Sequence, residues 1–256
     1  NNAQDNLIPF CFAAQTTMNT NLLLGETIQN NFGDNGQENL RNRISAVTID
    51  EEGDGPCNYS YATFYSYDIS GNVKHLVQHN NQIPSSLQDH AFKSIEYEYD
   101  LISGNVHYVH YQDGELDQFH HKYSYDAENR ITDVTTSADG VIWKNDARYF
   151  YYEHGPLARL ELGDNNIQGI DYAYNIQGWI KGVNSTVLDT KKDMGKDGGA
   201  GDNSSFARDA FSYGLSYYNA DYRPIGQTNW FAEQTNTTMD NTELFNGNIR
   251  NMVRSN

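Results

Sequence analysis

The sequence predicts an all-β fold in which tyrosine-rich hairpins lie side by side in a long curved sheet. Three observations carry that expectation. A Tyr-x-Tyr-Asp motif recurs along the chain with a turn after it. The 256 residues include 19 Tyr and 21 Gly but only 5 Pro. Aromatics reach 13% at a mean hydropathy of −0.75, which suits short strands and tight turns and suits long amphipathic helices poorly.

Taken in chain order, residues 1–39 match the motif least and are expected to be an irregular entry segment that caps or lines the sheet. Their apolar run, Leu7 to Ala14, is short, broken by Pro9 and preceded by no positive leader. Residues 40–256 form the repeat region. The first close copy is Tyr65-Ser66-Tyr67-Asp68-Ile69-Ser70-Gly71-Asn72-Val73. The second runs from Tyr97 through Tyr99, Asp100 and Gly104 to Val106. The third is Tyr123-Ser124-Tyr125-Asp126 with Asn129 before Ile131, and a fourth is Tyr172-Ala173-Tyr174-Asn175 with Gly178 before Trp179. Degraded copies are expected at Phe150–Leu157, with Tyr152 as anchor, at Tyr217–Arg223, with Tyr218, and at Leu244–Ile249, with Phe245.

Each copy has a mechanical reading. Aromatics two apart share one face of a strand. The Asp or Asn that follows accepts backbone N–H groups and starts a turn. Gly or Asn three residues later takes the left-handed conformation that closes a type I turn into a G1 bulge, and a β-branched or aliphatic residue opens the returning strand. One hairpin is marginal in water, so the units must pair edge to edge, with equivalent tyrosines expected to stack in cross-strand ladders.

Residues 189–205 are small, polar and glycine-rich and read as a mobile loop between units. Asp193, Asp197 and Asp202 miss the alternate-residue ligand spacing of an EF-hand, so they are expected to be solvated rather than to hold calcium. The acidic turn at 50–56 reads the same way. Residues 229–234 suit one short helical turn.

Other chemistry is weakly signalled. Of the eight histidines, His75 and His79 share a strand face, and register alone decides whether His75, His107 and His120 meet; polar wall positions are expected, not a metal site. Cys11 and Cys57 make neither a disulfide framework nor a zinc site, and no Gly-x-Ser-x-Gly elbow or phosphate loop is present. The Asn-x-Ser/Thr triplets at Asn58, Asn184, Asn203 and Asn236 are expected by chance in so Asn- and Ser/Thr-rich a chain. No enzyme, cofactor or metal is therefore expected. With 34 acidic against 17 basic side chains the net charge is −17, which argues against nucleic-acid binding and against an anionic membrane surface. No run is long and apolar enough for membrane insertion as a helix.

The element Tyr-x-Tyr-Asp-x-x-Gly-Asn-hydrophobic resembles the YD repeat of the RHS/YD-repeat proteins. Residues 172–185, 193–198, 217–225 and 245–249 resemble the version found in Bacteroidota. The resemblance implies a strip that spirals into a hollow RHS-like β-shell, which encloses a toxic or adhesive region of the same polypeptide or displays it at the cell surface. It implies a secreted or surface location and export often through the type IX secretion machinery. The partner it implies is the remainder of the same large polypeptide. The paired Asp-Pro-x-Gly elements of the family's self-cleaving core are not found in this sequence. The chain starts at Asn1 and stops where a returning strand has just begun, so a wall segment of a larger molecule is expected. A surface carbohydrate-binding adhesin is the rival expectation, because Tyr and Trp flanked by Asn and Asp suit stacking on sugar rings.

Overall fold

The structure is a computed structural model and describes residues 30–32, 36–49, 51, 59–199, 201, 203–224, 231 and 243–256. Cys11, Cys57, Asp202 and all of the 229–234 segment except Phe231 lie outside the described residues. The strands are β1 (Ala46–Ile49), β2 (Tyr61–Tyr67), β3 (Val73–Asn80), β4 (Phe92–Tyr99), β5 (Val106–Tyr111), β6 (Phe119–Tyr125) and β7 (Ile131–Ser137). They continue as β8 (Lys144–Tyr151), β9 (Leu157–Leu162), β10 (Gln168–Tyr174), β11 (Ile180–Val183), β12 (Ser212–Ser216) and β13 (Asn251–Ser255). The chain divides into two compact units, residues 1–123 with 136–142, and residues 124–135 with 143–256.

In the first unit the strands pair antiparallel in chain order, β1 on β2, β2 on β3, and so on to β5 on β6. In the second unit β8 to β13 do the same. The all-β expectation of side-by-side antiparallel hairpins therefore holds.

The turns explain why these residues form hairpins. Asp68 N–H donates to the Asn72 carbonyl at 2.9 Å, and the Asp68 carboxylate accepts from the backbone N–H of Gly71 and Asn72. Asp126 repeats the device, with its N–H on the Arg130 carbonyl and its carboxylate on the N–H groups of Glu128 and Arg130. Asn175 repeats it with Gln177 and Trp179. Asp100 closes a loop one residue longer, its N–H reaching the Asn105 carbonyl. The closing residues have positive φ: 101° at Gly71, 74° at Gly104, 61° at Asn129 and 80° at Gly178. A bulge accompanies the turn between Ser66 and Tyr67, Glu98 and Tyr99, Phe150 and Tyr151, and Ala173 and Tyr174.

Strand alternation then separates two faces. On β2, Ala62, Phe64 and Ser66 are buried while Tyr61, Thr63, Tyr65 and Tyr67 are half-buried on the other side. The buried face of the first unit gathers Phe32, Tyr59, Ala62, Phe64 and Val77 into a core. Residues before β1 close this unit: Gln37 donates to the carbonyls of Ser45 and Tyr65, and Asn39 to that of Tyr67. On β10 the buried positions are Gly169, Asp171 and Ala173, a small–acidic–small series that leaves room for a charged group.

Candidate functional site

The repeat anchors carry a second device that the motif alone does not announce. In four copies the hydroxyl of the tyrosine that leads into the turn donates to a backbone carbonyl of an earlier segment. Tyr67 reaches the Ile44 carbonyl, Tyr99 that of Val73, Tyr151 that of Ile131 and Tyr217 that of Ile180, each at 2.8 Å. In the last three the acceptor opens or directly precedes the returning strand of an earlier hairpin, so each hydroxyl staples one hairpin to another. Burial is the leading reason that the hydroxyls of Tyr99, Tyr151 and Tyr217 titrate above the usual range.

These bonds correct two anchor assignments. Tyr151, not Tyr152, occupies the position of Tyr67: it lies beyond the bulge, pairs with Leu157 as Tyr67 pairs with Val73, and carries the staple. Tyr152 stands where Asp68 stands, with its N–H on the Pro156 carbonyl. Likewise Tyr217, not Tyr218, carries the staple of its copy, and Asp221 accepts its N–H at 2.8 Å. Among the described ring contacts, tyrosines of neighbouring copies meet at Tyr152 and Tyr174, edge to face with centroids 6.4 Å apart. Tyr65 stacks on Tyr67 and Tyr97 on Tyr99, along one strand, with ring centroids 6.5 and 6.4 Å apart. The remaining anchors Tyr123 and Tyr125 end β6, and Tyr172 and Tyr174 lie half-buried on β10, where the Tyr172 carbonyl accepts from the Tyr152 hydroxyl. Among the histidines it is His110 and His120 that meet across β5 and β6, with Nδ1 atoms 2.8 Å apart.

Among the described residues, buried charge concentrates in the second unit around Arg159 of β9. Its guanidinium donates to Asp171 on β10 at 2.5 Å, to Asp197 at 2.7 Å and to Glu161 at 3.0 Å. Asp193 and Asp197 are 3% and 1% exposed, which corrects the expectation that these two face solvent. A turn locks them together, since Asp193 Oδ2 accepts the Asp197 N–H at 2.8 Å. Asp209 approaches from the following segment, held by Gln168 at 3.1 Å. Two glycines make the space. A Cβ on Gly169 would collide with Arg159 and Asp197, and one on Gly195 would collide with Arg159 and Asp171.

The electrostatics are one-sided. Of five carboxylates in the cluster, three pair with the Arg159 guanidinium, those of Glu161, Asp171 and Asp197. Burial first, then the neighbouring aspartates, push Asp171 up to about 7 against the pull of Arg159, and Asp209 up to about 8. Asp197 is also raised, by burial above all. Burial pulls the Arg159 guanidinium down, but Asp197, Asp171 and Glu161 more than offset it, and its pKa lies above the usual value. One carboxylate oxygen from each of Asp171, Asp193 and Asp197 falls within 4.8 Å of the others. A second buried pair, Lys181 on β11 with Asp221, has its charges 2.7 Å apart and both side chains 2% exposed. Asn184 is fully buried, its side chain bonded to the Asp171 N–H and the Phe211 carbonyl, so that triplet is unavailable to a glycan.

Fold and staples define an all-β protein built from repeated Tyr-Asp hairpins. No family model matches the chain, and no curated protein matches it. Among solved structures, a crystal structure of TcdB2-TccC3-Cdc42 is similar at 12% identity and a TM-score of 0.33, over 71% of this chain and 10% of that one. The Photorhabdus luminescens Tc holotoxin pore with a TccC3 mutation is similar at 12% identity and a TM-score of 0.31, over 68% and 10%. A TcdB2-TccC3-TEV crystal structure gives 12% identity and a TM-score of 0.33, over 70% and 10%. The chain spans about a tenth of the length of these neighbours.

Proposed function

We propose that this chain is a structural wall segment of a secreted RHS-type β-shell, and that the shell encloses or displays a toxic or adhesive region of the same polypeptide. The observation that carries the reading is the staple. A tyrosine hydroxyl bonded to the backbone of an earlier hairpin is a device for adding units one after another, as a wall requires, and it repeats in both units. The sequence resemblance to YD repeats supports the same reading, including its Bacteroidota character and export by the type IX machinery to the cell surface or beyond. In this role the chain is not an enzyme, and its partner is the rest of its own polypeptide. The excess negative charge suits it, because like charges keep the edges of hairpin sheets from pairing with other molecules.

The test is electron microscopy of the full polypeptide that contains this chain, with protease digestion in parallel. A hollow particle whose interior region resists protease supports the wall. A solid or extended particle with every region cleaved at similar rates overturns it. Binding of the purified 256-residue chain to a glycan array would instead favour the adhesin.

A further inference from the structure

The acidic cluster beside Arg159 has a feature that a purely structural ion-pair network lacks. Asp193 Oδ1 and Asp197 Oδ2 are buried and accept no hydrogen bond. A buried carboxylate oxygen without a donor loses its hydration and gains nothing in return, a cost on the order of 1–3 kcal/mol or more. The two lie in one cluster, where an oxygen from each of Asp171, Asp193 and Asp197 falls within 4.8 Å of the others. Arg208 lines a recess here together with Asp193, Asp197 and Asp209. The recess, bounded also by Asp189 and Thr190, has a volume of about 10 Å³, roughly the space that one water-sized particle needs. Beside it, Gly169 and Gly195 leave the room that Arg159, Asp171 and Asp197 occupy, where a Cβ would collide with them.

The geometry points to a binding site for one divalent cation of the calcium type, with Asp171, Asp193 and Asp197 as ligands and Asp209 at the rim. This goes beyond the wall reading and does not depend on it. The donors are all oxygens, which selects a hard cation over zinc or copper. Calcium is favoured over magnesium because it accepts irregular shells of six to eight oxygens at about 2.3–2.6 Å. Magnesium demands a near-ideal octahedron, and carboxylates already bent toward Arg159 do not supply one. The bound ion would tie the 189–199 segment to β9 and β10 through charge rather than through apolar contact.

The experiment uses the purified 256-residue chain after removal of metal with a chelator. Calcium is titrated calorimetrically, and terbium is followed by its tyrosine-sensitised emission. One saturable site per chain is expected, with a dissociation constant of about 10⁻⁵–10⁻³ M. At calcium a hundredfold above that constant the melting temperature should rise by about 5–10 °C. Asp193→Asn/Asp197→Asn should abolish both responses, and its melting temperature should not change when calcium is added to the chelated chain. Glu153→Gln, on an exposed turn, should leave both responses intact. If the double variant does not fold, Asp209→Asn gives the same reading at the rim, with at least a tenfold weaker site expected. No saturable calcium binding by 10 mM, binding unchanged in the aspartate variants, or magnesium binding of equal strength would each overturn the assignment. So would wild-type stability that rises on acidification and ignores calcium, because a shared proton would then be the occupant.

Discussion

Replacing Lys181 by Met tests whether buried charge, and not apolar packing alone, holds the second unit together. Lys181 Nζ lies 2.7 Å from Asp221 Oδ1, and the other Asp221 oxygen accepts the Tyr217 N–H at 2.8 Å. Tyr217 in turn staples to the Ile180 carbonyl, next to Lys181 itself. The pair therefore closes a ring that joins β11 to the turn after β12. Methionine fills much of the lysine's volume but strands a carboxylate that is 2% exposed, and breaking a buried pair on one side costs about 3–5 kcal/mol. For a unit of this size that lowers the melting temperature by about 6–20 °C. Lys181→Met/Asp221→Asn removes both charges and keeps an acceptor for the Tyr217 N–H, so most of the loss should return. Urea unfolding followed by tryptophan emission reads both, because Trp179 packs against Tyr217 with ring centroids 5.1 Å apart. A single variant within 1 kcal/mol of wild type, or a double variant no better than the single, would refute the reasoning.

Three further outcomes are expected. Tyr99→Phe deletes a staple and should cost about 0.5–1.5 kcal/mol in urea unfolding, whereas Tyr97→Phe, without that carbonyl bond, should cost clearly less; equal effects would remove the staple from the account. Gly104→Val forces a β-branched residue to a φ of 74° in open space and should cost about 1–3 kcal/mol, while Gly104→Asn should be tolerated; Gly71→Val adds a collision with the Arg43 guanidinium and should be at least as harmful. His79 is held neutral by burial, stacked on Phe92 and bonded to Tyr59, with its pKa below 6.5. The unfolded chain then binds the extra proton, so the stability from this group is complete above pH 6.5 and is lost as pH falls through the folded value. The stability difference between wild type and His79→Phe should shrink between pH 7.5 and 5, and a constant or growing difference would contradict the assignment.

The hairpins were legible in the sequence because their bonds are local. Asp68 reaches Gly71 and Asn72, and Asp126 reaches Glu128 and Arg130, so residue type and spacing report the turn directly. Consecutive tyrosines blurred the register by one. At 151–152 and 217–218 either ring fits the motif, and only the bulge and the hydroxyl bond choose between them. The Arg159 cluster was not legible, since its guanidinium meets an aspartate 38 residues away through a fold that spacing cannot show. One trace was available. Gly169, Asp171 and Ala173 alternate with half-buried residues on β10, and a charged residue between two small ones on an inward face marks a buried ionic contact. The glycine content of the 189–199 segment pointed the wrong way: it suggested solvent, whereas Gly195 is there because Arg159 and Asp171 occupy the space a side chain would need.

Oxidative cross-linking between two hairpins tests most directly whether they lie edge to edge in chain order. Gln78 on β3 faces Lys93 on β4, across the junction between the first and second close copies. Opposed strand residues hold their Cβ atoms about 4.5–5.5 Å apart, within a small adjustment of disulfide geometry. With Cys11 and Cys57 replaced by Ser, Gln78→Cys/Lys93→Cys should close a disulfide in the folded chain, whereas Gln78→Cys/Glu98→Cys should not. No closure of the first pair, or equal closure of both, would contradict the side-by-side arrangement on which the wall depends.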